Sequence, residues 1–176
     1  MNTQTHEDVL TSLTAALRAE SDPRSAMERA VAILHQELPY YTWVGIYLLE
    51  GDELVLGPFL GKPSPHTRIP LGSGICGTAA TQRATIIVDD VNADPRYLAC
   101  SIETKSELVV PIMDGGRVLG EIDIDSDRPA AFCAADRTLI EAVAALLAPR
   151  IAAEPSRTLS NLAEPSRTQQ NPVEPS

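Results

Sequence analysis

Apolar residues recur along this chain with two periods, and the changes between them mark the elements. Leu10, Leu13 and Leu17 repeat at helical spacing. Asp22 followed by Pro23 reads as a helix start, and Met27, Ala30, Val31, Leu34 and Leu38 then share one helical face up to Pro39. From there the period falls to two. Tyr41–Glu50 and Asp52–Phe59 read as strands joined by a turn at Gly51. A loop with three prolines follows over 61–72, and Ser73-Gly74 opens a short helix over Ile75–Gln82. Ala84–Val88 is a strand, and 89–102 is irregular with a helical turn near Tyr97. Ser106–Met113 and Arg117–Asp125 form a second hairpin over Asp114-Gly115-Gly116. The last helix covers Ala135–Ile151, with Leu139, Ile140, Val143, Leu146 and Leu147 as its apolar stripe and Pro149 expected to bend or end it. The sum predicts an α+β fold: a mainly antiparallel sheet with the N- and C-terminal helices on one face.

Alternation sorts the strand residues onto two faces. Val44, Ile46 and Leu48 share one face, as do Leu108, Val110 and Ile112, and Val118, Gly120, Ile122 and Ile124. These apolar faces suit packing under helices. The opposite faces collect Trp43, Tyr47, Glu107, Glu121, Asp123 and Asp125. Carboxylates at i, i+2 and i+4 of one strand repel unless a cation compensates them, so aromatics and acids on a shared face point to a pocket for a ligand with an ammonium group.

Composition narrows the function. The 176 residues carry 14 Lys+Arg against 24 Asp+Glu, a formal charge of −10, which argues against general affinity for nucleic acid or anionic membrane. No apolar run is long enough to span a bilayer, and the first ten residues lack a signal-peptide pattern, so the expected location is cytoplasmic. The body is expected over 1–152. Residues 153–176 hold EPSRT at Glu154 and Glu164 and EPS at Glu174, a polar Pro-containing repeat that cannot bury a face and is read as a disordered tail.

Three cysteines do not make a disulfide framework. Cys76, in Gly-Ser-Gly-Ile-Cys-Gly, lies at the start of a helix, where the dipole favours a thiolate. Cys100 lies in an irregular segment, where reactive groups gather, and Cys133 reads as a packing residue. Gly72 to Gly77 matches G-x-G-x-x-G but follows a proline-rich loop in an antiparallel context, which argues against a dinucleotide site. Asp123-Ile-Asp-Ser-Asp127 starts like a calcium loop but has Arg128 and Ala134 where Gly and Glu belong. No cysteine or histidine pair has structural-zinc spacing, so no metal and no cofactor is expected.

Together, Trp43-Val-Gly-Ile-Tyr-Leu-Leu, the 54–62 segment ending Leu-Gly-Lys, Arg68-Ile-Pro-Leu-Gly-Ser-Gly-Ile-Cys-Gly-Thr-Ala79, Leu98-Ala-Cys-Ser101, Ser106-Glu-Leu-Val-Val-Pro111 and Glu121-Ile-Asp-Ile-Asp-Ser126 resemble the GAF-domain free methionine-(R)-sulfoxide reductases over about residues 5–152. The resemblance implies a cytosolic thiol enzyme for free L-methionine (R)-sulfoxide, reduced by thioredoxin, within a family whose members can be homodimers. It implies a pocket on the sheet face away from the helices, lined by Trp43 and Tyr47, with Glu107 as proton donor and Asp123 and Asp125 holding the substrate. It makes Cys100 the candidate nucleophile and Cys76 the candidate resolving thiol, with the reverse order open. Well-known members carry a further cysteine in the loop that here reads Pro63-Ser-Pro-His-Thr67. A small-ligand sensor on the same scaffold is the alternative reading.

Overall fold

The protein is described by a computed structural model covering residues 3–99 and 101–153. Its elements are α1 (Thr3–Ala19), α2 (Pro23–Glu37), β1 (Trp43–Glu50), β2 (Glu53–Leu60), β3 (Arg68–Pro70), α3 (Gly74–Gln82), β4 (Ile86–Val88), β5 (Ser106–Asp114), β6 (Arg117–Ser126) and α4 (Ala134–Ala152). The six strands form one sheet in the order β3-β2-β1-β6-β5-β4, each neighbouring pair antiparallel. Helices α1, α2 and α4 build the main core on one face with Val44, Ile46, Leu48, Leu108, Val110, Ile112, Ile122 and Ile124, as the alternation predicts. On the other face α3 closes a second apolar cluster containing Trp43, Tyr47, Cys76 and Val109.

Local chemistry sets the boundaries. The Asp22 carboxylate accepts from the Ser25 N–H at 2.7 Å, a cap of about 1 kcal/mol that starts α2 beside Pro23. Pro149 lies inside α4 without ending it. Only one turn remains beyond it, and the Arg150 guanidinium donates to the carbonyls of Leu146 at 2.6 Å and Leu17 at 2.8 Å, tying the ends of α1 and α4 together.

Several expectations need correction. The proline-rich loop contains β3, an edge strand in which Pro70 is tolerated because no further strand needs its N–H. The 3-10 helical turn falls at Val91–Ala93, where the Asp90 side chain caps Asn92 N–H at 3.0 Å, and the expected turn near Tyr97 is a single hydrogen-bonded one, Tyr97 N–H donating to Asp94 O at 3.1 Å. A bulge in the β5–β6 pairing opposes Ile112 to Gly120 and Met113 to Val118, so Leu119 joins the helix-side core and Val118 turns to the other face. Cys133 is exposed, not packed; the buried place beside it belongs to Phe132. The tail expected over 153–176 lies, apart from Ala153, outside the described residues.

One polar knot joins the helices behind the sheet. Asp136, at the start of α4, accepts hydrogen bonds from the hydroxyls of Tyr40 and Tyr41, from His6 Nε2 at 3.0 Å and from the Cys133 N–H at 2.8 Å. Burial would raise its carboxyl, but the bonds from Tyr40, Cys133 and His6 outweigh that and hold it at about 2. Asp136→Asn should therefore cost roughly 2–3 kcal/mol in urea unfolding, because the charge that these four donors share is lost. Unchanged stability would show that these bonds are exchangeable with water.

Candidate active site

Strand register assembles the site on the face away from α1, α2 and α4. Three rows cross the sheet. Trp43, Asp125, Glu107 and Val88 form the first; Gly45, Asp123, Val109 and Ile86 the second; Tyr47, Glu121 and Pro111 the third. Residues paired this way present their side chains to the same face. Four carboxylic acids are thus gathered in two adjacent strands, and all are buried.

Glycine makes room for the tryptophan. A Cβ on Gly45 would lie 2.1 Å from Trp43 Cη2, so the indole lies flat across the backbone of Gly45 in the row of Asp123. It stacks on Phe59 with centroids 5.8 Å apart. Gly45→Ala should displace the ring, shift the emission of this only tryptophan, and raise KM by roughly tenfold or more, since small misplacements of binding groups are costly. Unchanged emission and KM would mean the ring has a second acceptable position.

The polar ends of both aromatics hold the loop between β2 and β3. Trp43 Nε1 donates to Lys62 O at 3.0 Å, and the Tyr47 hydroxyl donates to His66 O at 2.8 Å. The loop is in turn linked to the segment around residue 100: His66 Nε2 meets Ala99 O at 3.2 Å, and Lys62 Nζ donates to Glu103 at 2.6 Å. Between them opens a cavity of about 140 Å³ lined by Thr42, Trp43, Lys62, Ser64, Thr104 and Asp125, among others. Thr104 Oγ1 donates to Asp125 Oδ2 at 3.3 Å.

Cys76 lies beneath the acids. It is the third residue of α3, and its Sγ donates to Glu107 Oε1 across 3.7 Å. One ligating atom each from Cys76, Glu107 and Asp123 falls within 4.8 Å of the others. The Cys76 thiol is close enough to Glu121 to influence its charge, yet neither Glu121 oxygen has a hydrogen-bond partner among the described residues, and nor has Asp123 Oδ1. Burial, then the mutual repulsion of the acids, pushes Glu107, Glu121 and Asp125 well above the carboxylate range. Burial raises Asp123 to about 7.

The same surroundings revise the expectation for Cys76. Burial first, then the charges of Asp123, Glu121 and Glu107, raise its thiol well above the ordinary value. A nine-residue helix offers too little dipole to offset that, so a resting thiolate at Cys76 is disfavoured.

Of the residues expected at the site, Trp43 and Asp125 line the cavity. Glu107, Asp123 and Cys76 cluster deeper, and Tyr47 is fully buried behind them, supporting the loop instead of lining the cavity. Cys100 lies outside the described residues. Its neighbourhood is nonetheless informative. Gly74 has φ +67°, and a Cβ there would lie 2.9 Å from Leu98 Cδ1, so the chain two residues before Cys100 packs against the start of the helix bearing Cys76. Glu121 was legible as a co-facial acid but not as a site residue; Lys62, Glu103 and Thr104 gave no signal in the sequence.

The description "GAF domain" fits residues 22–151. The free methionine-R-sulfoxide reductase of Escherichia coli (strain K12) is 36% identical over 124 residues, covering 70% of this chain and 74% of that protein. The enzyme of the same name from Saccharomyces cerevisiae is 45% identical over 109 residues, 60% of each chain. The X-ray structure of free methionine-R-sulfoxide reductase from Neisseria meningitidis in complex with its substrate superposes with a TM-score of 0.80 at 36% identity, covering 88% of this chain and 91% of that one.

Proposed function

The chain belongs to the GAF-domain family, among the free methionine-(R)-sulfoxide reductases, and from that premise we propose that it reduces free L-methionine (R)-sulfoxide to methionine. The observation that carries the reading is the buried Cys76–carboxyl cluster on the sheet face whose register row also holds Trp43 and Asp125, both of which line the cavity. That cavity, of about 140 Å³, is on the scale of a small molecule. Acids whose protons are held near neutral pH by burial can donate to a sulfoxide oxygen, and an arriving ammonium favours ionisation of the acids it pairs with.

In the reaction the Cys100 thiolate attacks the sulfoxide sulfur. Glu107 supplies a proton to the oxygen. The Cys100 sulfur's electron pair reduces the substrate sulfur, the protonated oxygen passes to the Cys100 sulfur as the substrate S–O bond breaks, methionine leaves, and Cys100 is left as a sulfenic acid. Asp123 and Asp125 hold the substrate ammonium, and Trp43 walls the methyl group. Cys76 then attacks the sulfenic sulfur, expelling water and closing a Cys76–Cys100 disulfide, which a thioredoxin dithiol reduces by exchange. The Gly74–Leu98 contact supports direct pairing in a chain whose 63–67 loop has no thiol. A cytoplasmic setting, where thioredoxin keeps thiols reduced, fits this cycle.

The test is thioredoxin-coupled NADPH oxidation with the separate (R) and (S) sulfoxides. Turnover of the (R) form alone, abolished by Cys100→Ser, is the expected result. No turnover of either form, with measurable binding by a folded protein, would instead favour the ligand-sensor reading.

A further inference from the structure

The deep cluster has the donor set of a metal site as well as that of a sulfoxide pocket. We propose that Cys76, Glu107 and Asp123 bind a thiophilic divalent cation of the zinc or cadmium kind, with Glu121 alongside, and that the cation closes the site to substrate. The second half of this proposal rests on the reductase reading; the first does not.

The ligands come from three packed elements, α3, β5 and β6, so no spacing in the sequence could reveal them. Their ligating atoms already lie within 4.8 Å of one another. The Cys76 Sγ to Glu107 Oε1 distance of 3.7 Å is close to the roughly 3.5 Å separating sulfur and oxygen ligands on one tetrahedral zinc, given Zn–S near 2.3 Å and Zn–O near 2.0–2.2 Å. A second observation points independently to a cation. By distance and angle neither Glu121 oxygen nor Asp123 Oδ1 has a hydrogen-bond partner among the described residues; the Cys76 thiol also reaches towards both acids, but its single proton is given to Glu107, and Glu121 is 0% exposed. Buried acceptors of this kind are ordinarily satisfied, and a divalent ion would satisfy several at once.

The donor chemistry selects the ion. One sulfur with a few carboxylates suits zinc or cadmium. Magnesium and calcium require six or more oxygens and, for magnesium, several retained waters, whereas this cluster offers one sulfur and a few carboxylates. Binding replaces the thiol proton, which passes to solvent, and ionises the carboxyls that the ion holds. The bound ion would take both the thiol needed to resolve the sulfenic acid and the acids that face the sulfoxide.

The probe is cadmium alone, added to the full chain carrying Cys100→Ser and Cys133→Ser so that Cys76 is its sole thiol. The expected result is a thiolate-to-cadmium charge-transfer band that saturates at one ion per chain. It should be lost with Cys76→Ser and weakened at least tenfold in affinity by Asp123→Asn or Glu121→Gln, with far-ultraviolet circular dichroism confirming the fold. Added methionine sulfoxide should displace the ion and reduce the band. No band at stoichiometric cadmium, or a band whose affinity both acid substitutions leave unchanged, would overturn the site. A band unaffected by saturating methionine sulfoxide would overturn closure. Because the band is read without turnover, an inactive reductase and an absent metal site give different results. In the unsubstituted chain, zinc should raise the apparent KM for the sulfoxide, and a chelator should restore it.

Discussion

Cys76→Ser should make one methionine per chain and then stop. The serine variant keeps Cys100 and the acids, so the first attack and the protonation proceed and the sulfenic acid forms. What is lost is the thiol that condenses with it, and serine cannot form the disulfide that thioredoxin recognises. Steady-state turnover with thioredoxin should fall roughly a hundredfold or more, while a small dithiol, which attacks sulfenic acid directly, restores it. Rapid-quench analysis of methionine measures the first equivalent, and coupled NADPH oxidation measures the rest. Two outcomes would sink the assignment. Unimpaired turnover would remove Cys76 from the cycle, and the absence of even one equivalent would make it the attacking thiol. The environment favours the first account, since a nucleophile benefits from a low thiol value and Cys76, buried against three acids, has the opposite.

The second expected result concerns stability. Without ligand, the protein should become less stable as pH rises from about 4 to beyond 7, where many proteins are near their maximum. In the unfolded chain Glu107, Glu121, Asp123 and Asp125 ionise near 4. In the fold burial raises all four, Asp123 to about 7 and the others well above the carboxylate range. Below pH 4 both states hold these protons and the site imposes no penalty. As pH rises the unfolded chain releases them first, and the penalty accumulates until the folded groups ionise. For Asp123 alone this amounts to something on the order of 4 kcal/mol. Urea unfolding at pH 5 and pH 8 measures the slope. Glu121→Gln should flatten it and stabilise the protein at pH 8, and a ligand with an ammonium group should stabilise it most at the higher pH. A stability maximum at pH 8, or no effect of Glu121→Gln, would show that water or ions neutralise the cluster.

Much of this site was readable from alternation. Trp43, Glu107, Asp123 and Asp125 fall on one face because a strand has a period of two, and antiparallel register then aligns them in rows. The pattern failed where the backbone departs from regular pairing. Val118 reads as continuous with Ile122 and Ile124 until the bulge at Leu119 reverses it, and nothing local in Arg-Val-Leu-Gly announces the bulge. It failed again where tertiary burial decides ionisation. The helix start around Cys76 is legible, but the acids that raise its thiol arrive from residues 107, 121 and 123. Cys133 was misplaced because a small apolar residue beside Phe132 fits burial and exposure equally well in sequence. The short β3 was hidden by its prolines, which an outermost strand can accommodate.

That last feature affects how copies of the chain can meet. The sheet ends in β3 on one side and β4 on the other, each only three residues long. Such short margins offer few free backbone groups, and on β3 one of the three residues is a proline without an N–H. At these two strands a neighbouring chain therefore finds little to extend, in a homodimer or in the strand-on-strand growth that leads to fibrous aggregates. Of the two strands that carry the acids, β6 lies between β1 and β5, whereas β5 is covered by β4 only over Glu107–Val109.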